Sequence, residues 1–128
     1  MKKLILIPLL LVTCFCFAQD AKQIIGKPVK IDNILVAQND FSDEMKWEEA
    51  KTACTKLGKG WRLPTIEELN ILYTKRKFIG RLKNDNYWSS SSSVNYYDIV
   101  WVLNFCFGDQ ETKYADISTN YVRAVKSL

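Results

Sequence analysis

Gly60-Trp61-Arg62-Leu63-Pro64-Thr65-Ile66-Glu67-Glu68-Leu69 is the stretch on which the reading of this chain turns. Trp61 to Pro64 reads as a short extended connector, and Thr65 opens a helix. Thr65 and Glu68 have the spacing of a capping box. The Thr65 hydroxyl accepts from the backbone N–H of Glu68, and the Glu68 carboxylate reaches back to the N–H of Thr65. Ile66, Leu69, Leu72 and Tyr73 give this helix an apolar face. Lys75, Arg76 and Lys77 suit its C-terminal end, where the helix dipole favours cations. Trp61 is expected to pack, Arg62 to be a buried ion-pair partner and Pro64 to set the angle at which the helix begins. Glu67 and Glu68 resemble a catalytic carboxylate pair, but the cap already accounts for them.

Working outward, residues 47–57 predict an earlier helix, with Trp47, Ala50, Cys54 and Leu57 in one stripe. Ser42 or Asp43 is its expected cap, and Gly58 is placed to end it. Val29-Lys30-Ile31-Asp32 and Ile34-Leu35-Val36-Ala37 have strand character, with a turn or bulge at Asn33. Beyond the second helix the chain is strand-rich: Tyr87-Trp88-Ser89-Ser90, then residues 99–107, 113–117 and 121–125 predict an antiparallel meander. Arg123, in the last apolar strand, is expected to be a structural ion pair, and Trp88 a packed aromatic. The order of elements predicts an α+β fold of two helices beside a twisted antiparallel sheet.

The N-terminus reads as a secretion signal over residues 1–18. Lys2 and Lys3 precede an apolar run over residues 4–12, and Ala18 is a small residue at the exit. The run falls short of the roughly 20 apolar residues of a comfortable bilayer span. Cleavage after Ala18 leaves a leader over residues 19–33 and a domain over residues 34–128, with no transmembrane segment. Cys14 admits a lipoprotein reading, although Thr13 fits that pattern poorly. The expected location is periplasmic, cell-surface or secreted.

Losing the signal changes the totals. The chain of 128 residues carries 18 Lys and Arg against 14 Asp and Glu. Lys2 and Lys3 leave with the signal, and no acid does, so the excess of +4 is halved. Nucleic acid is therefore not the expected partner. Of the 4 cysteines, Cys54 and Cys106 remain, either bridged or as two separate thiols. There is no His, which excludes Ser-His-Asp and Cys-His catalysis and imidazole zinc sites. No glycine-rich phosphate loop occurs, and neither a metal nor a cofactor is expected.

Four blocks together resemble the Lcl C-terminal domain family, a bacterial family of largely unknown function. They are residues 47–54, residues 60–69, Tyr87-Trp88-Ser89-Ser90 and Tyr121-Val122-Arg123-Ala124-Val125. The resemblance implies a C-type lectin-like fold and binding at the cell exterior, in the best-known case to sulfated polysaccharides. The Glu-Pro-Asn, Gln-Pro-Asp and Trp-Asn-Asp triplets of calcium-dependent lectins are missing. The last strand also lacks a Cys to pair with Cys54. Calcium and monosaccharide binding are therefore not implied.

The expected function is an exported non-catalytic module that binds glycan or a polyanionic polymer. The alternatives are a protein–protein or envelope-assembly module and an enzyme of the formylglycine-generating type. The expected partners are an acidic polysaccharide or an envelope protein. Candidate ligand residues fall in two groups. Lys75, Arg76, Lys77, Arg81 and Lys83 form the densest basic stretch. Ser91, Asn95, Tyr96, Tyr97 and Asp98 combine hydroxyls, an amide and a carboxylate with flat aromatic faces that suit sugar rings.

Overall fold

The computed structural model describes residues 21–93, 95, 96 and 98–128. The expected signal segment, Val94 and candidate residue Tyr97 lie outside the described residues. Ten elements follow in order: β1 (Val29–Ile31), β2 (Ile34–Val36), α1 (Trp47–Lys56), β3 (Trp61–Arg62), α2 (Ile66–Thr74), α3 (Arg76–Ile79), β4 (Asn86–Ser92), β5 (Ile99–Asn104), β6 (Gln110–Tyr114) and β7 (Val125–Ser127). Residues 21–25 are also helical.

The strands form two sheets rather than one. β4, β5 and β6 make a meander, although its third strand runs over Gln110–Tyr114 rather than the expected 113–117, and β7 leaves it to lie between β2 and β3 in a four-stranded sheet of order β1-β2-β7-β3. Residues 121–124, expected within the last strand, are irregular apart from one bridge of Tyr121 to Tyr87. Their apolar side chains Val122 and Ala124 are instead fully buried between elements. Because β7 pairs with β2, the two ends of the domain meet, and Leu128 N–H donates to the carbonyl of Asn33 at 3.0 Å. β1 is thus a strand of this sheet. Residues 24 and 25 accept from Asn39 and Gln38, so the stretch expected as a leader is part of the fold from residue 21 onward.

The meander is covered on both faces, which is why residues 99–103 read as a nearly continuous apolar run. Leu103, Phe105 and Tyr87 face a cluster with Ile66, Leu69 and Leu72 of α2 and with Val36 and Val125. Val100, Val102 and Trp88 face a second cluster with Ala50 and Cys54 of α1, Trp61, Leu63 and Val122. Ser89 is fully buried in β4, and its hydroxyl donates to the Trp101 carbonyl at 2.6 Å. The serine run thereby carries a register shift between Trp88 and Ser92, with internal bonds replacing ladder bonds.

The two main helices begin in different ways. α2 has the full capping box, with Thr65 Oγ1 accepting from Glu68 N–H at 3.1 Å and Glu68 Oε1 accepting from Thr65 N–H at 2.9 Å. Neither Ser42 nor Asp43 caps α1. Its N-cap is Lys46, without a side-chain cap bond, because the intervening chain pairs Met45 with Asn120. The basic run does not extend α2 either. Lys75 ends it, and Arg76 and Lys77 belong to the separate turn α3.

The cysteine question is settled by position. Cys54 is fully buried on α1, whereas Cys106 is exposed in the turn after β5, and both are free thiols. The bridge between them is not formed. Burial pushes the Cys54 thiol up to about 12, so it stays protonated and inert at neutral pH.

Candidate functional site

Arg62, Glu68 and Thr65 show how the structural residues are held. Arg62 Nη1 and Nη2 each donate to one Glu68 oxygen, at 2.6 and 3.0 Å, and Nη2 also reaches Ser127 Oγ at 2.9 Å. This fork ties α2 to β7. The Arg62 side chain is 38% exposed, so the pair is half-buried rather than buried as expected. Burial would raise the Glu68 carboxyl. The hydrogen bonds from Arg62 and from the Thr65 backbone outweigh it and hold the group below its usual range. Thr65→Ala should therefore cost about 1 kcal/mol at neutral pH. The share that Glu68 contributes is present above the ordinary carboxylate pKa of about 4.3 and is lost as pH falls through the lower folded value. Urea titrations from pH 7 to pH 3 check this, with Glu68→Gln showing a shallower acid decline than the native chain.

Arg123 anchors the deepest polar network. Its side chain is fully buried, and Asp40 beside it is 5% exposed. Nε donates to Asp40 Oδ1 at 2.6 Å, Nη1 to the Ala37 carbonyl at 3.1 Å and Nη2 to the Arg81 carbonyl at 3.0 Å. Tyr87 Oη donates to the other Asp40 oxygen and accepts from Lys83 N–H at 2.8 Å. Burial, then the neighbouring Asp40 carboxylate, raises the Tyr87 hydroxyl well above its ordinary range, so it remains a donor. The expected structural ion pair at Arg123 is present. Its partner Asp40, 83 residues away, was missed, because nothing local marks that aspartate in sequence.

Ser91, from one group of candidate ligand residues, does not meet Lys75 and Arg76 from the other. Ser91 Oγ accepts from Ile66 N–H at 3.0 Å, at the start of α2. Lys75 and Arg76 follow the end of α2, nine residues and about 13 Å of helix away. Ser91 is also engaged in the fold, so it is not a free hydroxyl. Asn95, Tyr96 and Asp98 are exposed in the turn between β4 and β5, and the Asp98 carbonyl accepts from Ala115 at 2.7 Å. Ser91 and the Lys75–Arg76 pair therefore sit at opposite ends of α2.

Within the basic group the cations have different fates. Lys75 pairs with Asp32 at 2.8 Å, at the turn between β1 and β2. Lys83 lies 3.7 Å from Asp40 and over the Tyr121 ring. Arg76, Lys77 and Arg81 are exposed and have no carboxylate partner among the described residues. The Arg76 guanidinium lies 4.2 Å from the Tyr73 ring centroid and donates to the Tyr73 carbonyl at 2.7 Å. Arg81 has a left-handed φ of 58° and donates to Asn39 Oδ1 at 2.9 Å. Both guanidiniums are thus held in place while facing solvent.

Asn39, which accepts from Arg81, lines a cleft of about 500 Å³ together with Gln23, Gln38, Asp40 and Ser42 among others. Its amides are already engaged: Gln38 Oε1 accepts from Lys27 N–H, and Asn39 Nδ2 donates to the Gln23 carbonyl. The surface therefore presents charge more than free hydrogen-bonding groups. No group of three or more His, Cys, Asp or Glu among the described residues is arranged to hold a metal ion.

Two sheets with α1 and α2 packed on them, and chain ends joined through β7, define a C-type lectin-like fold. The chain is similar to botrocetin, with a TM-score of 0.57 at 12% identity over 80% of this chain and 98% of that one. A chain from the complex of a mutant von Willebrand factor A1 domain with botrocetin gives 0.57 at 10% identity, over 80% and 98%. EMS16, an antagonist of the collagen receptor integrin alpha2beta1, gives 0.52 at 17% identity, over 79% and 97%. No curated protein matches the sequence. The chain belongs to the Lcl C-terminal domain family, whose sequence model matches residues 21–126.

Proposed function

We infer that this protein is an exported, non-catalytic binding module that holds a polyanionic polymer, such as an acidic glycan, at the cell exterior. The observation that carries this reading is the set Arg76, Lys77 and Arg81, exposed and without carboxylate partners among the described residues, with two of the three guanidinium or ammonium groups pre-positioned. Exposed cations of this kind attract dense negative charge and lose it as salt screens the attraction. Export is supported by the N-terminal pattern of Lys2, Lys3, an apolar run and Ala18. No described helix is long and apolar enough to cross a membrane.

Retention on a heparin column at low salt, abolished at high salt, is the expected behaviour. The variant Arg76→Gln/Lys77→Gln/Arg81→Asn should bind the same polymer about tenfold or more weakly, from three ion pairs at up to ~1 kcal/mol each. Asn is chosen at 81 because it tolerates the left-handed backbone. Equal retention of the native chain and the variant would place the site elsewhere.

A second reading, a module that docks on another envelope protein, is favoured by Phe78 and Phe107, each 76% exposed. Botrocetin is named in complex with a protein domain and EMS16 as an antagonist of a receptor, so the fold supports that use as well. Binding to a purified envelope protein that survives high salt and depends on these phenylalanines would distinguish it from polymer binding.

A further inference from the structure

β6 is the free edge of the meander, and its sequence Gln110-Glu111-Thr112-Lys113-Tyr114 has a symmetry that the intact fold does not use. Two backbone bonds bracket the strand: Asn104 N–H to the Asp109 carbonyl and Ala115 N–H to the Asp98 carbonyl. In the register that pairs Leu103 with Gln110 and Ile99 with Tyr114, these identify residues 109, 111, 113 and 115 as the ones whose backbone groups face β5. The N–H and C=O groups of Gln110, Thr112 and Tyr114 consequently point away from the sheet. The side chains of these three are exposed, while Glu111 and Lys113 share the other face, 3.5 Å apart.

We propose that β6 pairs antiparallel with β6 of a second copy about a two-fold axis at Thr112, joining two meanders into one six-stranded sheet. In that register Thr112 faces Thr112 of the other copy, and Gln110 faces Tyr114, so every outward backbone group finds a partner. Glu111 falls opposite Lys113 in both directions, and the four side chains form a ring of alternating charge. Shifting the axis to residue 111 sets Glu111 against Glu111, and shifting it to residue 113 sets Lys113 against Lys113. Parallel in-register stacking matches like with like at both positions. The charges that usually keep an edge strand from aggregating thus admit one arrangement and oppose its neighbours. Carried past the strand ends, the same register brings Phe107 of one copy toward Ile117 of the other, which are 76% and 72% exposed.

The association closes at two copies. The outer edge of β4 is already taken: Trp88 N–H donates to the Tyr121 carbonyl, Tyr121 N–H to the Asn86 carbonyl and Ser90 N–H to the Pro64 carbonyl. A joined sheet therefore ends in covered strands on both sides, as a two-fold dimer requires.

Sedimentation velocity on the purified protein from micromolar to millimolar concentration tests the proposal. A concentration-dependent monomer–dimer equilibrium is expected. Thr112→Pro removes an outward N–H without touching the ladder to β5 and should leave a monomer throughout. Glu111→Lys or Lys113→Glu should weaken the dimer about 10- to 100-fold by setting like charges opposite each other twice. The double exchange Glu111→Lys/Lys113→Glu should restore it. If Thr112→Pro fails to fold by circular dichroism, the charge-reversal series decides alone. A native chain that stays monomeric at millimolar concentration, a dimer indifferent to these changes, or open-ended oligomers would each overturn the proposal. None of these variants alters Arg76, Lys77 or Arg81, so polymer binding stands or falls separately.

Discussion

Arg123→Met should lower the unfolding free energy by about 3–5 kcal/mol, the cost of leaving one member of a buried ion pair without its partner. Asp40 would keep a carboxylate that is 5% exposed, with its bond to Arg123 gone and only Tyr87 and a longer contact to Lys83 remaining. The carbonyls of Ala37 and Arg81 would lose their donors as well. Three segments meet at this point: the stretch after β2, the left-handed turn at Arg81 and the approach to β7. The loss should therefore be cooperative rather than local. For a domain of about 100 residues it corresponds to a fall in Tm of some 15–30 °C. Since whole domains are stable by only about 5–15 kcal/mol, the variant sits near the threshold for folding at all. Adding Asp40→Asn to Arg123→Met removes the stranded charge and should recover part of the loss. Guanidinium titrations of the two single variants and the double one check the sign of that coupling. Strictly additive losses would show that the two side chains do not act as a pair.

Trp88→Ala should cost about as much, some 3–5 kcal/mol, by opening a large cavity between α1 and the meander. Trp88 is fully buried against the cluster that contains Ala50, Cys54, Val100 and Val102. Its Nε1 donates to the Met45 carbonyl at 2.7 Å, so the ring also fixes the chain just before α1. Trp88→Phe retains most of the apolar volume and loses that bond, and a loss of about 1–2 kcal/mol is expected. The difference between the two variants separates packing from hydrogen bonding. Denaturant midpoints for both, at unchanged m-value, provide the measurement. A Trp88→Ala variant within 1 kcal/mol of the native chain would mean that the two clusters collapse freely onto the gap, contrary to the close packing seen around it.

Residues close in sequence were the most legible. The capping box at Thr65 and Glu68 depends on a spacing of three residues, and the apolar stripes of α1 and α2 on repeats of three and four, so local geometry determined them. The two-helix, antiparallel-strand α+β class and the family followed from four such blocks in order. The cap of α1 was misread because a distant pairing, Met45 with Asn120, sets where that helix begins. The candidate ligand surface was legible only as a composition. That Lys75 is neutralised by Asp32 and that Ser91 serves the start of α2 are consequences of chain crossings.

In the stretch 60–69, sequence alone determined that a helix starts at Thr65 and that Glu68 closes its first turn. These bonds span three residues and form with little regard to the rest of the chain. Only the tertiary structure decided what that helix is attached to. Arg62 bonds Glu68 on one side and Ser127 of the last strand on the other, and β7 reaches that place by leaving the meander for the sheet of β2 and β3. The partner of Arg123 was likewise decided by the fold. Burial makes an unpaired charge too costly to retain, but it does not say which of the distant carboxylates must come to meet it.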